Sequence, residues 1–226
     1  MPGLPSPRYG WFKMLAWIPN ALTISRCVFA ALVLFGALNA AAAAGAFKDA
    51  AGEDALRLAT MEQLWHQFAL LAFLSGALTD FLDGWAARTF KAESRFGVWL
   101  DPIADKLLVS LALLGLALTL KSWLIYLPAA LIIARDVFMT WLRTRPEASG
   151  VVAPSHLAKV KTAVEMLAIA GLMMPFALAP ASTEKLALET SLPAQLAAAA
   201  LVVLLWVAAA LSLYTASQYV RAIRKA

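Results

Sequence analysis

The sequence predicts an all-α, polytopic integral membrane protein with six transmembrane helices. Of its 226 residues, 62% are hydrophobic and only 15% are charged, whereas a soluble domain carries about 25% charged residues. Apolar runs near the length that crosses a bilayer as an α-helix, about 20 residues, recur along the chain. We expect a single membrane domain over residues 1–226. Residues 1–16 combine prolines with aromatic and basic side chains, which predicts an interfacial juxtamembrane segment.

Six apolar runs define the predicted spans. The first begins near Ile18, where Pro19 suits the first turn of a helix, and ends near residue 43. The polar residues 45–62 predict an outer loop or a short surface helix. His66, at the outer end of the next span, predicts a solvated or interfacial side chain rather than a metal ligand. The later spans are expected at about residues 64–88, 98–120, 124–142, 157–178 and 193–214.

Basic residues are distributed unevenly between the two sides of this topology. Six spans place both termini on one side, and the opposite side receives only four of the 19 lysines and arginines: Lys48, Arg57, Lys121 and Lys185. The positive-inside rule then places the termini in the cytoplasm, which predicts a protein integral to the cell (inner) membrane. No nucleic-acid partner is expected. The single cysteine, Cys27, excludes an intrachain disulfide and disfavours a thiol mechanism.

The polar chemistry is concentrated between residues 80 and 105. Four aspartates, two glycines and an arginine interrupt the apolar sequence there: Asp80, Asp83, Gly84, Arg88, Gly97, Asp101 and Asp105. On helices, the first two aspartates share one face and the last two share another, and a turn near residues 94–97 would bring the faces together. Four close carboxylates repel one another unless cations lie between them, and oxygen ligands favour Mg²⁺ or Mn²⁺.

The other residues of this stretch suit a phosphate-containing ligand. Gly84 removes a side chain where a ligand could approach the backbone, and Arg88 offers a forked contact to phosphate. An acidic pair in an Asp-Gly turn is commonly only a solvated loop. Four aspartates flanked by apolar helix differ from that case, because carboxylates within a membrane are costly and mark functional sites.

Residues 80–105 match at every fixed position the pattern Asp-x2-Asp-Gly-x2-Ala-Arg-x8-Gly-x3-Asp-x3-Asp. This pattern resembles the signature of the CDP-alcohol phosphatidyltransferases. The resemblance implies a metal-dependent transfer of a phosphatidyl group from CDP-diacylglycerol to an alcohol in the membrane, with release of CMP. It also implies a homodimer. By resemblance, two Mg²⁺ or Mn²⁺ ions would be held by Asp80, Asp83, Asp101 and Asp105, and Asp105 would also be the general base. The resemblance assigns contacts with the nucleotide to Asn20, Thr23, Gly84, Arg88 and Ser94.

A basic cluster at the cytoplasmic ends of the fourth and fifth spans predicts the acceptor-phosphate site: Arg135, Arg143, Lys159 and Lys161. A positive-inside flank accounts more easily for Arg143 than for Arg135, which lies about two turns inside an apolar run and needs an anion there. Residues 19–26, 133–143 and 159–162 resemble the phosphatidylglycerophosphate synthases of the family, which implies sn-glycerol 3-phosphate as acceptor. Cardiolipin synthases share much of this region, so phosphatidylglycerol is the alternative acceptor.

Two other classes of membrane protein also use intramembrane aspartates. Intramembrane prenyltransferases bind diphosphate through Mg²⁺, but their two acidic motifs usually lie far apart in the chain, whereas here both lie within residues 80–105. A transporter or ion channel would leave Gly84, Arg88 and Gly97 without a role, and the sequence shows no inverted repeat. The sequence therefore favours the phosphatidyltransferase.

Overall fold

The computed structural model describes residues 18–90, 95–143, 156–178 and 191–223. Within these ranges the chain forms six α-helices and no strand: α1 (Ile18–Phe47), α2 (Gly52–Phe90), α3 (Arg95–Leu120), α4 (Trp123–Arg143), α5 (His156–Leu178) and α6 (Leu192–Ile223). Among the described residues, five of them, α1 and α3 to α6, include a stretch that is long and apolar enough to cross a membrane. The predicted all-helical, polytopic class is confirmed. The predicted interfacial segment, residues 1–16, lies outside the described residues.

The second helix differs from its prediction in length. Residues 45–62 were expected to form a loop or a short surface helix, but from Gly52 onward they are the first part of α2. This helix continues for 39 residues, or about 58 Å, and only residues 48–51 separate it from α1. Two acidic residues in its first turn, Glu53 and Asp54, favour a helix start there. The prediction of a turn near residues 94–97 is wrong for residues 95–97, because α3 already begins at Arg95.

The helices alternate in direction, as four polar contacts show. Arg26, near the start of α1, contacts Asp80, near the end of α2. Lys106, near the start of α3, donates to the backbone carbonyl of Asp136, near the end of α4. Gln63, near the start of α2, donates to the last carbonyls of α5. Arg135, beside Asp136 on α4, also donates to the carbonyl of Ser212, towards the end of α6. With the helix packing, these contacts place the starts of α1, α3 and α5 and the ends of α2, α4 and α6 at one end of the bundle, which we call the motif end.

One apolar core joins the six helices. Helix α1 packs along both α2 and α3, α5 packs against α6 and α2, and α4 packs against α6 and α3. Each helix contributes at least one large, fully buried side chain to this core, among them Val33, Phe73, Leu108, Ile132, Ile169 and Leu205. Large apolar side chains also remain exposed around the bundle, such as Leu71 and Val203. This is the distribution expected for helices that face hydrocarbon.

Small residues allow α1 and α2 to approach closely. A Cβ atom added to Gly36 would lie 3.0 Å from the Cβ of Ala69 and 3.1 Å from the backbone oxygen of Trp65. Between membrane helices, such small residues permit close backbone packing, and van der Waals contact replaces the hydrophobic driving force available in water. The contact that aligns α1 with α2 therefore depends on the absence of a side chain at Gly36.

Helices α4 and α6 run in the same direction and are bonded to each other at two levels. Near the start of α4, the indole Nε1 of Trp206 donates to the carbonyl of Leu124 at 3.1 Å, and the Trp123 and Trp206 rings meet edge to face. Towards the motif end, Arg135 Nε donates to the carbonyl of Ser212, also at 3.1 Å. These contacts hold the two helices parallel over a large part of α4.

Gly36→Ala should lower the stability of the protein, because the added methyl group meets the Ala69 side chain and the Trp65 backbone. Overpacking of this kind costs about 1–3 kcal/mol. Gly45→Ala is a matched control on the same helix, since nothing lies within 4 Å of a Cβ added at Gly45. Thermal unfolding in detergent, followed by circular dichroism, should show a lower midpoint for Gly36→Ala alone. Equal midpoints for the two variants would contradict this account of the α1–α2 contact.

Candidate functional site

The described residues include the side chains of two of the four motif aspartates. Asp80 lies on α2 and Asp105 lies on α3, both at the motif end. Eight other predicted site residues lie outside the described part of the structure, either as side chains or as whole positions: Asn20, Asp83, Gly84, Arg88, Ser94, Asp101, Arg143 and Lys159. Their predicted roles stay predictions.

Asp80 forms an ion pair with an arginine of the first helix. Arg26 Nη1 lies 3.1 Å from Asp80 Oδ1, and the exposed fractions of the two side chains are 2% and 40%. No role was predicted for Arg26 from the sequence. Its signal was an arginine inside an apolar run, since a buried cation requires an anion. Thr23, predicted to contact the nucleotide, is fully buried one turn before Arg26.

Asp105 lies within electrostatic range of both the motif and the basic cluster. Its charged neighbours are Asp80, Arg26, Asp136 and Lys161. Its Oδ1 atom is buried and has no hydrogen-bond partner among the described residues. Because buried polar atoms in folded proteins are normally bonded, this oxygen is suited to a water, a cation or a substrate hydroxyl.

The donors at the motif end fit a divalent metal ion. Carboxylate oxygens are the ligands that Mg²⁺ and Mn²⁺ prefer, Asp105 Oδ1 lacks a donor, and the Asp80 side chain is 40% exposed. Among the described residues, no group of three acidic, histidine or cysteine side chains could hold a metal. Two of the four predicted ligands, Asp83 and Asp101, have side chains outside that search.

Arg135 forms hydrogen bonds with a residue of its own helix, α4, and with residues of α6. Its Nη1 donates to Asp136 Oδ1 at 2.7 Å, its Nε to the Ser212 carbonyl, and its Nη2 to Thr215 Oγ1, the last two at 3.1 Å. Only 13% of the side chain is exposed. The sequence predicted an anionic partner for this arginine. In the structure Asp136 is such a partner, and α6 supplies two further acceptors.

Lys161 lies between two carboxylates. Its Nζ is 2.9 Å from Glu165 Oε2 on α5 and 3.6 Å from Asp136 Oδ1 on α4. Nearby, Lys106 Nζ donates to the Asp136 carbonyl at 3.1 Å and to Thr140 Oγ1 at 2.7 Å. The structure thus gathers one set of residues, which we call the charged cluster: Lys106, Arg135, Asp136, Lys161 and Glu165.

The sequence predicted only part of this cluster. Arg135 and Lys161 were predicted as cations for the acceptor, whereas Lys106, Asp136 and Glu165 received no functional role. Glu165 could have been found from its spacing, because it follows Lys161 by one helical turn and an i, i+4 pair of opposite charge shares a face. The contribution of Ser212 and Thr215 carried no comparable signal, since hydroxyl residues in an apolar helix do not indicate which helix they face.

A second buried polar pair lies at the opposite end of the bundle, and it corrects the prediction for His66. This side chain is not solvated: the residue is 7% exposed, with Nε2 4.0 Å from Glu62 Oε1 and its ring against Phe176. The neighbouring Gln63 and Gln67 bond the last carbonyls of α5. Because α5 packs against α2 here, His66 is covered. Along α2 this pair is about 20–27 Å from Asp80.

The fold and the site together define a polytopic helical membrane protein with an acidic motif and a charged cluster at one end of the bundle. A family model described as CDP-alcohol phosphatidyltransferase matches residues 16–214. The chain belongs to this family, as the pattern at residues 80–105 predicted.

Several curated relatives resemble part of this chain. A protein of Sodalis glossinidius (strain morsitans) is 44% identical over 106 residues, which cover 46% of this chain and 58% of the relative. A protein of Escherichia coli (strain K12) is 42% identical over 113 residues, covering 48% of this chain and 62% of the relative. Both are named CDP-diacylglycerol–glycerol-3-phosphate 3-phosphatidyltransferase. The chain therefore spans about three fifths of the length of these relatives.

The ion pair between Arg26 and Asp80 should stabilise the contact of α1 with α2. In a double-mutant cycle with Arg26→Met and Asp80→Asn, unfolding in mixed detergent micelles should give a coupling energy of about 0.5–3 kcal/mol, because Arg26 is buried. The control is the pair of Arg57 and Glu53, whose side chains are 75% and 92% exposed at 4.0 Å. Exposed pairs of this type contribute about 0–1 kcal/mol. A coupling for the buried pair no larger than that of the control would refute the prediction.

Proposed function

We propose that this protein transfers a phosphatidyl group from CDP-diacylglycerol to sn-glycerol 3-phosphate, releasing CMP. The observation that carries the proposal is the connection between the family motif and the buried cations: Lys106, which directly follows Asp105, donates to the Asp136 carbonyl, and Asp136 Oδ1 lies 3.6 Å from Lys161 Nζ. Such an arrangement suits a reaction in which a diphosphate and a second phosphate must lie side by side. The names of the relatives in Sodalis glossinidius and Escherichia coli support the same acceptor.

The proposal includes two divalent metal ions, Mg²⁺ or Mn²⁺, held by Asp80, Asp83, Asp101 and Asp105. When bound, such ions neutralise the diphosphate and stabilise the leaving oxygen. Asp80 is fixed from the side by Arg26, so that its carboxylate is oriented before any ligand arrives. Gly84 and Arg88, with Asn20, Thr23 and Ser94, are proposed to bind the nucleotide and its diphosphate.

Asp105 is proposed as the general base. The hydroxyl oxygen of the acceptor forms a bond to the phosphorus that carries diacylglycerol, the bond from that phosphorus to the CMP oxygen breaks, and the hydroxyl proton passes to the Asp105 carboxylate. The buried Oδ1 atom, which lacks a hydrogen-bond partner among the described residues, supports this role because it can accept from an incoming hydroxyl. A base already bonded to protein donors would have to lose them first.

Arg135 and Lys161 of the charged cluster, together with Arg143 and Lys159, are proposed to bind the acceptor phosphate. A small dianion gains from buried cations more than a neutral alcohol does, because charge-assisted hydrogen bonds are stronger than neutral ones. Glycerol or inositol would bring no charge to this region. Phosphatidylglycerol brings a single charge and two acyl chains, which is why we favour sn-glycerol 3-phosphate.

We further propose that the motif end faces the cytoplasm at the inner membrane and that the protein is a homodimer. The distribution of basic residues supports this orientation: Lys48, Arg57 and Lys121 all lie at the end of the bundle away from Asp80, and the positive-inside rule assigns the other end to the cytoplasm. A water-soluble acceptor and CMP would then be exchanged with the cytoplasm. The homodimer rests on the family alone.

The proposed reaction can be tested with purified protein in detergent, CDP-diacylglycerol and Mg²⁺ or Mn²⁺, by following CMP release. Glycerol 3-phosphate should support release, whereas glycerol and inositol should not, because they bring no negative charge to Arg135, Arg143, Lys159 and Lys161. Chelation by EDTA should stop the reaction, and added Mg²⁺ or Mn²⁺ should restore it. CMP release with phosphatidylglycerol but none with glycerol 3-phosphate would refute the acceptor and leave the family assignment standing.

Asp105→Asn should lower turnover by about 10²–10⁴-fold while CDP binding falls only modestly, because the amide cannot take the hydroxyl proton. Turnover would be measured by CMP release and nucleotide affinity by calorimetry with CDP. Thr119→Val, about four turns further along α3 and away from the motif end, serves as a control for general disturbance of that helix. If CDP affinity fell as steeply as turnover, Asp105 would be a ligand and not the base.

A further inference from the structure

Two buried carboxylates lie among the cations that are proposed to bind the acceptor phosphate. Asp136 is 4% exposed and Glu165 is 1% exposed. Carboxylates at this depth are costly, and here they also carry the same sign of charge as the proposed substrate. A site built only to attract phosphate would omit them, so their presence requires a separate explanation.

Their contacts indicate what they do. Lys161 Nζ is held by Glu165 Oε2 at 2.9 Å and by Asp136 Oδ1 at 3.6 Å, and these carboxylates come from two different helices. An ammonium group has three N–H donors, so two contacts leave one for a ligand. The lysine side chain is long and flexible in isolation. Between these two carboxylates it has a defined position.

Asp136 also fixes the position of Lys161 relative to the second cation, Arg135. The same oxygen that lies near Lys161 accepts from Arg135 Nη1 at 2.7 Å, so that both cationic nitrogens lie within 4 Å of one atom. The remaining bonds of Arg135, to the Ser212 carbonyl and Thr215, fix the other side of the guanidinium. Three of its five N–H donors are then engaged, and two remain.

The position of Asp136 is fixed in turn from α3. Lys106 donates to the Asp136 carbonyl and to Thr140, and Thr140 donates to the same carbonyl. Lys106 directly follows Asp105 in the chain. The turn of α4 that carries Asp136 is therefore bonded to the turn of α3 that carries the proposed base. This connection fixes the position of Arg135 and Lys161 relative to Asp105, which would take the hydroxyl proton.

Charge balance explains why the carboxylates need not prevent phosphate binding. The charged cluster holds three cations and two anions, so it keeps an excess of positive charge. Without the carboxylates, Arg135 and Lys161 would be buried without an anion whenever the acceptor is absent, and such burial is strongly unfavourable. With them, both cations can remain charged and in place before the acceptor arrives.

We infer that Asp136 and Glu165 are positioning residues for the acceptor: they hold Arg135 and Lys161 in the geometry that receives its phosphate. This inference rests on the proposed function. It assigns the two carboxylates no contact with substrate, and it predicts that their effect is transmitted through the cations. The consequence is a selective loss of acceptor affinity when a carboxylate is replaced by the amide of the same shape.

Glu165→Gln tests the inference with the full chain in detergent and CMP release as the readout. The KM for glycerol 3-phosphate should rise by about fivefold or more, while the KM for CDP-diacylglycerol changes by less than about twofold. Lys161→Met should raise the same KM, and the double variant should be no worse than Lys161→Met alone, because Glu165 acts through Lys161. Asp136→Asn should have a larger effect, since it releases both cations.

Glu62→Gln is the matched control for burial. Glu62 is equally buried and pairs with His66 one turn along the same helix, but it lies at the other end of the bundle. It should change the melting temperature and neither KM. The inference is overturned if Glu165→Gln lowers the melting temperature and leaves the KM for glycerol 3-phosphate unchanged, if it lowers that KM, or if its effect adds fully to that of Lys161→Met. Absence of CMP release by the unmodified protein with glycerol 3-phosphate would instead refute the proposed function, and this inference with it.

Discussion

The buried carboxylate of Asp136 is the interaction on which the polar end of the bundle depends. It contacts Arg135 of its own helix and Lys161 of α5, while its backbone carbonyl accepts from Lys106 of α3. Arg135 extends the connection to α6 through Ser212. In an apolar interior none of these charges is stable alone, so the packing of four helices and the arrangement of the charges require each other.

The alternating direction of the helices brings the residues of the charged cluster together at the motif end. Residues far apart in the chain pair there, Arg26 with Asp80 and Arg135 with Thr215, because each helix has one of its ends at the motif end. Close packing at Gly36 brings α1 against α2, and the short connection at residues 121–122 turns α3 directly into α4. The site is therefore assembled by ordinary helix packing, without a loop of its own among the described residues.

The sequence was sufficient for the features that depend on local pattern. Apolar runs located the helices, because a span of hydrocarbon demands a minimum length, and the spacing of the aspartates located the motif. The length of α2 was missed because the polar residues 52–62 resemble a surface loop when only hydrophobicity is considered. The burial of His66 was missed for a related reason: its environment is created by Phe176, which is more than a hundred residues away in the chain. Pairings across helices, such as Lys161 with Asp136, are properties of the packed bundle and have no local signature.

Hydrogen bonds at two levels join α4 to α6 and restrict how the bundle can move. One lies near the start of α4, at Leu124 and Trp206, and the other lies at Arg135 and Ser212. A helix that is hydrogen-bonded to its neighbour at one level can rotate about that point, whereas hydrogen bonds at two levels oppose this rotation. We therefore expect α4 and α6 to move together, and in the proposed reaction the lipid would enter between other helices of the bundle.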